Sequence, residues 1–509
     1  MLKRRQFIQA AGIGTSGLLI PGVALPQGGA NGGNELKIPE LLTGDRSGGQ
    51  SHFNLRLQEG VSRFIAGLNT PTYGVNGAFL GPTLRFKNGD DIAMHVHNAL
   101  NEQTTLHWHG LHVPAAADGG PHQIIDSGAT WEPEFKAMQN AGTFWYHSHL
   151  VERTGEQVYK GLAGLIIIDD EETGDLSIPS QYGLDDIPLI VQDRRFNEDG
   201  SFQYIRTHMD VMLGMFGNSV LVNGTMSPYF IPTTERVRFR LLNGSNARTY
   251  NFAFRDGRAF QQITCDGGFL EHPHQMNRLE LAPAERCEIV VDFSDGRPVD
   301  LLSLPMAEDS PFRARGMMAN MHNLNSETFT ILSVRPQSNL THSEALPDRL
   351  TTVPRYDAAG VDRVREFTLG MSMGMGMMGG GQGRGPGGSG GMGSRMGGNF
   401  SINGAAMDMN VINERIPVGS TEIWRINNET AMMHPFHIHH GQFQVIQRNG
   451  RQPDAHERAY KDTVKVGPGE RVRIVMEFEH FADPEAAYMY HCHILEHEDD
   501  GMMGQFTVY

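Results

Sequence analysis

A cysteine between two histidines, close to the end of the chain, is the most distinctive group of metal-ligating residues in this sequence. The stretch YHCHILEHEDDGMM, residues 490–503, contains Cys492, and His497 and Met502 follow it. With His434 from an upstream motif, HPFHIHH, these residues form the two-histidine, one-cysteine, one-methionine set of a blue-copper electron-transfer site. The sequence therefore predicts a mononuclear copper centre.

Four pairs of histidines are each separated by a single residue. On a β-strand, residues i and i+2 point to the same face, so each pair can direct two imidazoles toward one site. Eight imidazoles exceed the needs of one metal ion and favour a cluster of three copper ions. The pairs are His107 with His109, His147 with His149, His437 with His439, and His491 with His493.

The same alternation explains the position of the cysteine. On a strand, Cys492 points to the opposite face from His491 and His493. One short strand would therefore hold the mononuclear centre on one side and the cluster on the other. An electron that arrives at the cysteine sulfur would have a short and mostly covalent route to both neighbouring histidines.

Six other histidines match these patterns only in part. One further pair ends at His97, a position that is Leu242 and Ile426 in the repeats described below. Another ends at His274, which follows Pro273 in a predicted loop. Two single histidines adjoin the motifs but lie outside their register. We exclude all six from the predicted ligands: His95, His97, His112, His272, His274 and His440.

Three similar stretches indicate the elements that must position these ligands. Each begins with an Asn-Gly pair, continues through a second turn, and ends with an alternating strand that closes at an asparagine. Asn-Gly between apolar runs is a strong hairpin signal, and short strands with frequent turns are typical of β-sandwiches. The stretches run from Asn76 to Asn98, from Asn223 to Asn243, and from Asn403 to Asn427.

Three copies predict an all-β protein of three β-sandwich domains. We place the domains at residues 31–172, 173–337 and 338–509. A methionine- and glycine-rich insert, residues 371–398, interrupts the third domain, and glycine at this density cannot pack a core.

The N-terminus predicts export. Residues 1–30 contain Arg4 and Arg5, a short apolar stretch and small residues, which form a twin-arginine signal pattern addressed to the periplasm. The net charge of −16 argues against nucleic acid as a partner, and we identify no membrane span. Cys265 and Cys287 either pair in an oxidising compartment or are two free buried thiols.

The motifs HWHG, HxH, HPxHxH and HCHxxxHxxxxM resemble those of three-domain multicopper oxidases, a family of cupredoxin-like Greek-key β-sandwiches. The resemblance covers essentially the whole mature chain. The twin-arginine start, HCHILEHEDDGMM and the methionine-rich insert resemble, more narrowly, the exported bacterial copper-efflux oxidases, which oxidise cuprous ions.

The resemblance implies four copper ions and a role for each motif residue. Asp118 and Glu498 match the acidic residues that relay protons to oxygen, which is reasonable because reducing O₂ to water consumes protons. The implied ligands are His434, Cys492, His497 and Met502 for the type 1 copper, His107 and His437 for the type 2 copper, and His109, His147, His149, His439, His491 and His493 for the type 3 pair.

Methionines suggest the substrate. Thioethers are soft ligands that favour Cu(I), although methionine also serves as a gap filler in cores. The subgroup uses an acid shortly before its HPFHIH motif; this chain has Thr430 there, and Asp408 is a candidate substitute. The predicted Cu(I)-binding residues are Met371, Met373, Met375, Met377, Met378 and Met432, with Met392 and Met396 in the same insert and Met317, Met318 and Met321 in domain two.

We therefore expect a monomeric oxidase that couples one-electron oxidation of Cu(I) to four-electron reduction of O₂, for copper tolerance. A laccase that acts on phenols is the alternative within the enzyme class. A copper nitrite reductase would need no type 3 pair. Outside the enzyme class, the chain could be a copper-binding or structural exported protein.

Overall fold

The computed structural model describes residues 33–316, 319, 326–371 and 400–509. The predicted signal segment at residues 1–30 lies outside the described residues. So does the predicted insert beyond Met371, with Met373, Met375, Met377, Met378, Met392 and Met396, and so do Met317, Met318 and Met321.

The first sandwich packs a sheet of order β10-β7-β4-β3, with β5 and β9 at its edges, against a sheet of order β2-β6-β12-β11-β8. The strands are β1 (Asn34–Glu35), β2 (Leu41–Leu42), β3 (Asp45–Ser47), β4 (Gln50–Ser62), β5 (Thr70–Val75), β6 (Thr83–Lys87), β7 (Asp91–Asn98), β8 (His107–His109), β9 (Thr130–Trp131), β10 (Glu134–Lys136), β11 (Gly142–His147) and β12 (Ala163–Asp169).

The second sandwich packs β1-β16-β24-β23-β18-β21 against β15-β14-β13-β17-β22-β19-β20, so β1 pairs outside the first sandwich. Its own strands are β13 (Asp186–Arg194), β14 (Ser219–Val222), β15 (Thr225–Met226), β16 (Pro228–Phe230), β17 (Arg236–Asn243), β18 (Tyr250–Phe254), β19 (Phe260–Cys265), β20 (Gly268–Met276), β21 (Leu279–Leu281), β22 (Arg286–Asp292), β23 (Val299–Ser303) and β24 (Phe329–Val334).

The third sandwich packs β26-β25-β28-β33-β30-β31 against β27-β35-β34-β29-β32. Its strands are β25 (Arg363–Met371), β26 (Phe400–Ile402), β27 (Glu414–Ile416), β28 (Thr421–Asn428), β29 (His434–Ile438), β30 (Phe443–Arg448), β31 (Tyr460–Lys461), β32 (Thr463–Val466), β33 (Arg471–Glu477), β34 (Asp483–Cys492) and β35 (Met503–Val508).

In the part of the chain that the structure describes, helices are few and short. They are α1 (Thr154–Lys160), α2 (Glu171–Gly174), α3 (His208–Leu213) and α4 (Leu495–Asp499), with 3-10 turns at Ala115–Ala117 and Ala455–Glu457. Among the residues that the structure describes, no helix has the length and apolarity needed to cross a bilayer.

Each sandwich encloses its own hydrophobic core, built from alternate residues of its two sheets. Strands hold 45% of the residues and helices 7%, so the predicted all-β class of three cupredoxin-like β-sandwiches is confirmed. Cys265 and Cys287 lie on neighbouring strands of the second sandwich, and the structure has both as free, buried thiols.

The three repeats predicted from the sequence share a buried asparagine at the end of one strand. In each copy the side-chain amide donates to the carbonyl of a residue four or five positions later and to a carbonyl from a distant segment. The acceptors are Glu102 and Ile125 for Asn98, Arg248 and Leu281 for Asn243, and Met432 and Val466 for Asn428.

The third repeat therefore ends at Asn428 and not at Asn427, which corrects the sequence alignment of the repeats by one residue. A shift of one residue on a strand turns a side chain to the other face. Asn427 accordingly points outward, where its amide donates to Glu366.

Candidate metal centre

Cys492 lies within a triangle of potential ligand atoms. Its Sγ is 3.3 Å from Nδ1 of His434 and 3.7 Å from Nδ1 of His497, and the two nitrogens are 3.3 Å apart. All three side chains are fully buried. The triangle forms because β29 pairs with β34, which brings its first residue, His434, beside the end of the cysteine strand, and because α4 turns His497 back toward it.

Met502 and Phe400 complete the surroundings of this triangle. Met502 is fully buried, its N–H donates to the carbonyl of His497 at 2.8 Å, and its carbonyl accepts from the N–H of Cys492 at 3.0 Å. Phe400 stacks on the ring of His497 with centroids 3.9 Å apart. The backbone of Met502 is thus tied to two of the predicted ligands, and an aromatic ring shields one of them from water.

Burial sets the protonation of this group when no metal is bound. It raises the pKa of the Cys492 thiol well above its usual range and lowers the pKa of His434 to about 3. The imidazole is therefore neutral at pH 7 and able to act as a ligand, whereas the thiol must lose its proton to do so. A cation between the three atoms would stabilise the thiolate.

Six of the eight motif histidines form two groups of three. Within each group, one ligand atom from every ring lies within 4.8 Å of the others. The closest contacts are 3.2 Å between Nε2 of His149 and Nε2 of His491, and 3.3 Å between Nδ1 of His109 and Nε2 of His147. The groups are His109, His147 and His493, and His149, His439 and His491.

The remaining two motif histidines are oriented by backbone carbonyls. His107 donates from Nδ1 to the carbonyl of Asp118 at 2.9 Å, and His437 donates from Nδ1 to the carbonyl of Asp462 at 2.8 Å. Both Nε2 atoms are buried without a hydrogen-bond partner among the described residues. When one ring nitrogen donates a hydrogen bond to a carbonyl, the lone pair of the other nitrogen is free for a metal ion.

These donors fit copper. Buried imidazole nitrogens and a cysteine sulfur are the ligands that copper favours, and converging unpartnered nitrogens are costly unless something binds them. The structure brings the eight cluster histidines together in overlapping groups, since His107 and His437 also form a group of three with His109. His434, Cys492 and His497 form a separate group, and the backbone of buried Met502 is tied to it.

The two predicted acids adjoin the histidine groups. Oδ2 of Asp118 accepts from Nδ1 of His439 at 2.7 Å, and the carboxylate of Glu498 approaches Nδ1 of His491 and of His149 to 3.1 and 3.3 Å without aligned hydrogen bonds. Burial alone would raise the pKa of both carboxyls, but the adjacent histidines lower each pKa below its usual range in the metal-free protein. Both carboxylates are therefore ionised at neutral pH beside the histidines of the cluster.

Asp462 is a site residue that the sequence did not reveal. Its carbonyl orients His437, and its Oδ1 lies 3.1 Å from Nε2 of His109. Arg286, from the second sandwich, holds both carboxylate oxygens at 2.6 Å. Neither residue belongs to a metal-binding motif, and the contact joins positions 176 residues apart, so no local spacing predicts it.

The residues near the predicted substrate site are placed as follows. Met371 ends β25 opposite Phe400, and Met432 is partly buried beside the third core. Oγ1 of Thr430 lies 2.8 Å from Nε2 of His434. Asp408 accepts from the backbone and side chain of Asn410.

Comparison with known proteins agrees with this geometry. Residues 57–173, 180–300 and 389–509 match the family described as multicopper oxidase. Over 484 residues the chain is 34% identical to multicopper oxidase mco of Staphylococcus aureus, covering 94% of this chain and 93% of that protein. It is also 36% identical to the cell division protein FtsP of Dickeya dadantii (strain 3937), over 99% of this chain and 98% of that protein.

A solved structure of a laccase-like multi-copper oxidase, CueO from Ochrobactrum sp., superposes with a TM-score of 0.79 at 34% identity, covering 93% of this chain and 100% of that one. Three matched regions, the similarity along nearly the whole chain and buried groups of histidine and cysteine side chains lead to one assignment: this chain belongs to the multicopper oxidases, a family of copper-dependent oxidoreductases.

Proposed function

We propose that this protein is exported to the periplasm by the twin-arginine segment at residues 1–30 and there couples the oxidation of Cu(I) to the reduction of O₂. Four Cu(I) ions each lose one electron, and O₂ with four protons becomes two water molecules. The role is copper tolerance. Four resident copper ions occupy the type 1, type 2 and type 3 ligand sets predicted above.

The placement of Cys492 is the observation that carries this proposal. Its sulfur faces His434 and His497, while its neighbours in sequence, His491 and His493, belong to two different histidine groups. One residue is thus bonded through the backbone to both halves of the cluster. A binding protein has no need of such a link, whereas an oxidase that accepts electrons at one place and uses them at another does.

Bound copper supplies the one-electron chemistry and the reduction of O₂. The chain supplies position: hydrogen bonds to the carbonyls of Asp118 and Asp462 hold two imidazoles with Nε2 directed inward. The full burial of the cluster histidines keeps bulk water away, so protons must arrive through side chains. Asp118 and Glu498 are the groups we assign to this task, because their buried carboxylates lie beside different histidines of the cluster.

The Cu(I) assignment rests on the position of the methionine-rich insert. Met371 and Phe400 bracket it, and they pair as the last and first residues of β25 and β26. Phe400 stacks on His497, so the paired residues Met371 and Phe400 adjoin a predicted type 1 ligand. A thioether-rich segment that begins there is suited to delivering Cu(I) to this centre.

A laccase-type phenol oxidase is the second candidate, and the similarity to the laccase-like enzyme from Ochrobactrum sp., described as active toward lignin model compounds, favours it. The similarity to FtsP, named as a cell division protein, favours a third candidate outside the enzyme class, a copper-binding or structural exported protein. The complete donor set argues against a purely structural role, because buried unpartnered imidazoles destabilise a protein that binds no metal.

Oxygen uptake by the copper-loaded mature protein separates these three functions. We expect uptake with Cu(I) at a higher kcat/KM than with a simple phenol, and none with either substrate in Cys492→Ser. A higher kcat/KM for the phenol would make the protein a laccase. Absence of uptake with both substrates in a fully copper-loaded sample would assign it the structural role.

A further inference from the structure

Arg286, the first residue of β22, connects the second sandwich to both of the others. All predicted copper ligands belong to the first and third sandwiches, whereas Arg286 belongs to the second. Its Nε donates to the carbonyl of Thr143, in β11 of the first sandwich, at 3.0 Å. Its two Nη atoms donate to the carboxylate of Asp462, just before β32 of the third sandwich, each at 2.6 Å. Both side chains of this ion pair are fully buried, so water does not compete for these contacts.

Every N–H group of the Arg286 guanidinium has an acceptor. A guanidinium carries five N–H groups in one plane. One of them donates to Thr143 and two donate to Asp462. The other two donate to the carbonyls of Ala284, at 3.2 Å, and Asp266, at 2.9 Å. Because the planar group is fully bonded on all sides, it holds the carboxylate of Asp462 in one orientation.

Asp462 in turn contacts two predicted copper ligands whose rings lie face to face. Its Oδ1 accepts from Nε2 of His109 at 3.1 Å, and its carbonyl accepts from Nδ1 of His437 at 2.8 Å. The two rings stack with centroids 3.7 Å apart and an angle of 12° between their planes. Each hydrogen bond leaves the other nitrogen of its ring free for a metal ion, Nδ1 in His109 and Nε2 in His437. A rotation of Asp462 would therefore disturb both rings together.

The glycine that ends the HWHG motif leaves room for this ion pair. Gly110 follows His109 directly and has φ of +86°, a value that side chains other than glycine rarely adopt. A Cβ at position 110 would collide with Oδ2 of Asp462 and would lie 3.0 Å from Nη2 of Arg286. The ion pair therefore occupies the space that a side chain at this position would fill, directly beside a predicted copper ligand.

We propose that Arg286 is a positioning residue for the copper cluster. By holding Asp462 it fixes the rings of His109 and His437, so a sandwich that supplies none of the predicted ligands determines how firmly the type 2 copper is bound. A buried ion pair adds little net stability, and its better-attested use is to fix a geometry. The inference rests on the four-copper set of the proposed function and not on its Cu(I) substrate.

Competition between the copper-loaded protein and a copper chelator tests this role. Arg286→Lys keeps the buried charge but cannot hold both carboxylate oxygens in a fork. The matched control is Arg240→Lys, because Arg240 is also fully buried and pairs with two buried carboxylates, Asp186 and Glu288. The double variant Arg286→Met with Asp462→Asn removes both charges together, so neither remains buried without its partner and the protein should fold.

The electron paramagnetic resonance signal of the type 2 copper measures its occupancy at each chelator concentration. The internal reference is the blue absorbance of the type 1 copper, whose predicted ligands form the separate triangle around Cys492. Loss of an outer-shell partner weakens metal sites about 10–100-fold, and Arg286 acts one residue further out, so we expect the lower end of that range.

Arg286→Lys and the double variant should therefore lose type 2 copper at a chelator concentration about tenfold lower than the wild type and Arg240→Lys, with the blue band unchanged. Equal retention in all four proteins, or equal loss in both lysine variants, would overturn the proposal. A wild type without a type 2 signal would overturn it together with the four-copper set. Oxygen uptake with Cu(I) is not measured, so the proposed substrate can be wrong while this inference holds.

Discussion

Thr430 offers a direct test of the type 1 assignment through its contact with His434. The imidazole donates from Nε2 to Oγ1 at 2.8 Å, while Nδ1 faces Cys492. The hydroxyl group itself donates to Asn428 at 2.8 Å or to the carbonyl of Met432 at 3.0 Å. In Thr430→Asp, a carboxylate would replace this neutral acceptor and place a negative charge behind the ring.

The size of the expected shift in reduction potential follows from the distance between the new carboxylate and the type 1 metal. Across the imidazole and one metal–nitrogen bond, the charge at position 430 would lie about 7 Å from the metal. Thr430 is partly exposed, so an effective dielectric constant of about 20–40 applies, and Coulomb's law gives about 1–2.5 kcal/mol. A negative charge favours the more oxidised metal. A one-electron couple changes by about 59 mV per tenfold in equilibrium constant, so the potential should fall by about 50–100 mV.

Redox titration of the blue absorption band measures this shift, and Thr430→Asn is the matched control because it has the shape of aspartate without its charge. We expect Thr430→Asn to stay near the wild-type potential and Thr430→Asp to lie about 50–100 mV lower, with the difference smaller at high salt. Equal potentials in the Asp and Asn variants would refute the reasoning, because position 430 would then not adjoin a type 1 ligand.

Four further predictions concern the proposed oxidase. Cys492→Ser should abolish the blue colour and O₂ uptake while most of the copper at the histidine groups remains; a variant that stayed blue would falsify the thiolate assignment. Met502→Leu should raise the type 1 potential and cost less than about 1.5 kcal/mol in stability, because the two side chains have similar volumes; a lower potential in a redox titration would contradict an axial role. Asp118→Ala or Glu498→Gln should slow reoxidation by O₂ more than reduction by substrate in stopped-flow measurements, and the reverse order would remove their proton role. Deletion of residues 371–398 should lower Cu(I) turnover at limiting copper and raise phenol oxidation, whereas unchanged kinetics would make the insert a spacer.

Local periodicity made much of this protein predictable. The Asn-Gly pairs begin turns in all three repeats, where Asn76, Asn223 and Asn403 adopt positive φ as the hairpin signal requires. The third repeat shows the limit of aligning the repeats by sequence alone. Asn427 and Asn428 are adjacent and identical in type, and only the carbonyls that approach from Met432 and Val466 select the second one.

Ligands that share a strand could likewise be identified from spacing, because alternation along a strand is a property of the backbone alone. Spacing could not identify Asp462 as a residue that orients His437, since the arginine that holds it comes from another sandwich.

The sequence by itself thus determined the all-β class, the repeat of three sandwiches and the histidine pairs that share one strand face, since each depends on contacts within one strand or hairpin. The tertiary structure decided which histidines form each group and which carbonyl orients which ring. These features join residues tens to hundreds of positions apart. The distances between these residues are set by the packing of one sandwich against another. No pattern along a single segment of the sequence can predict that packing.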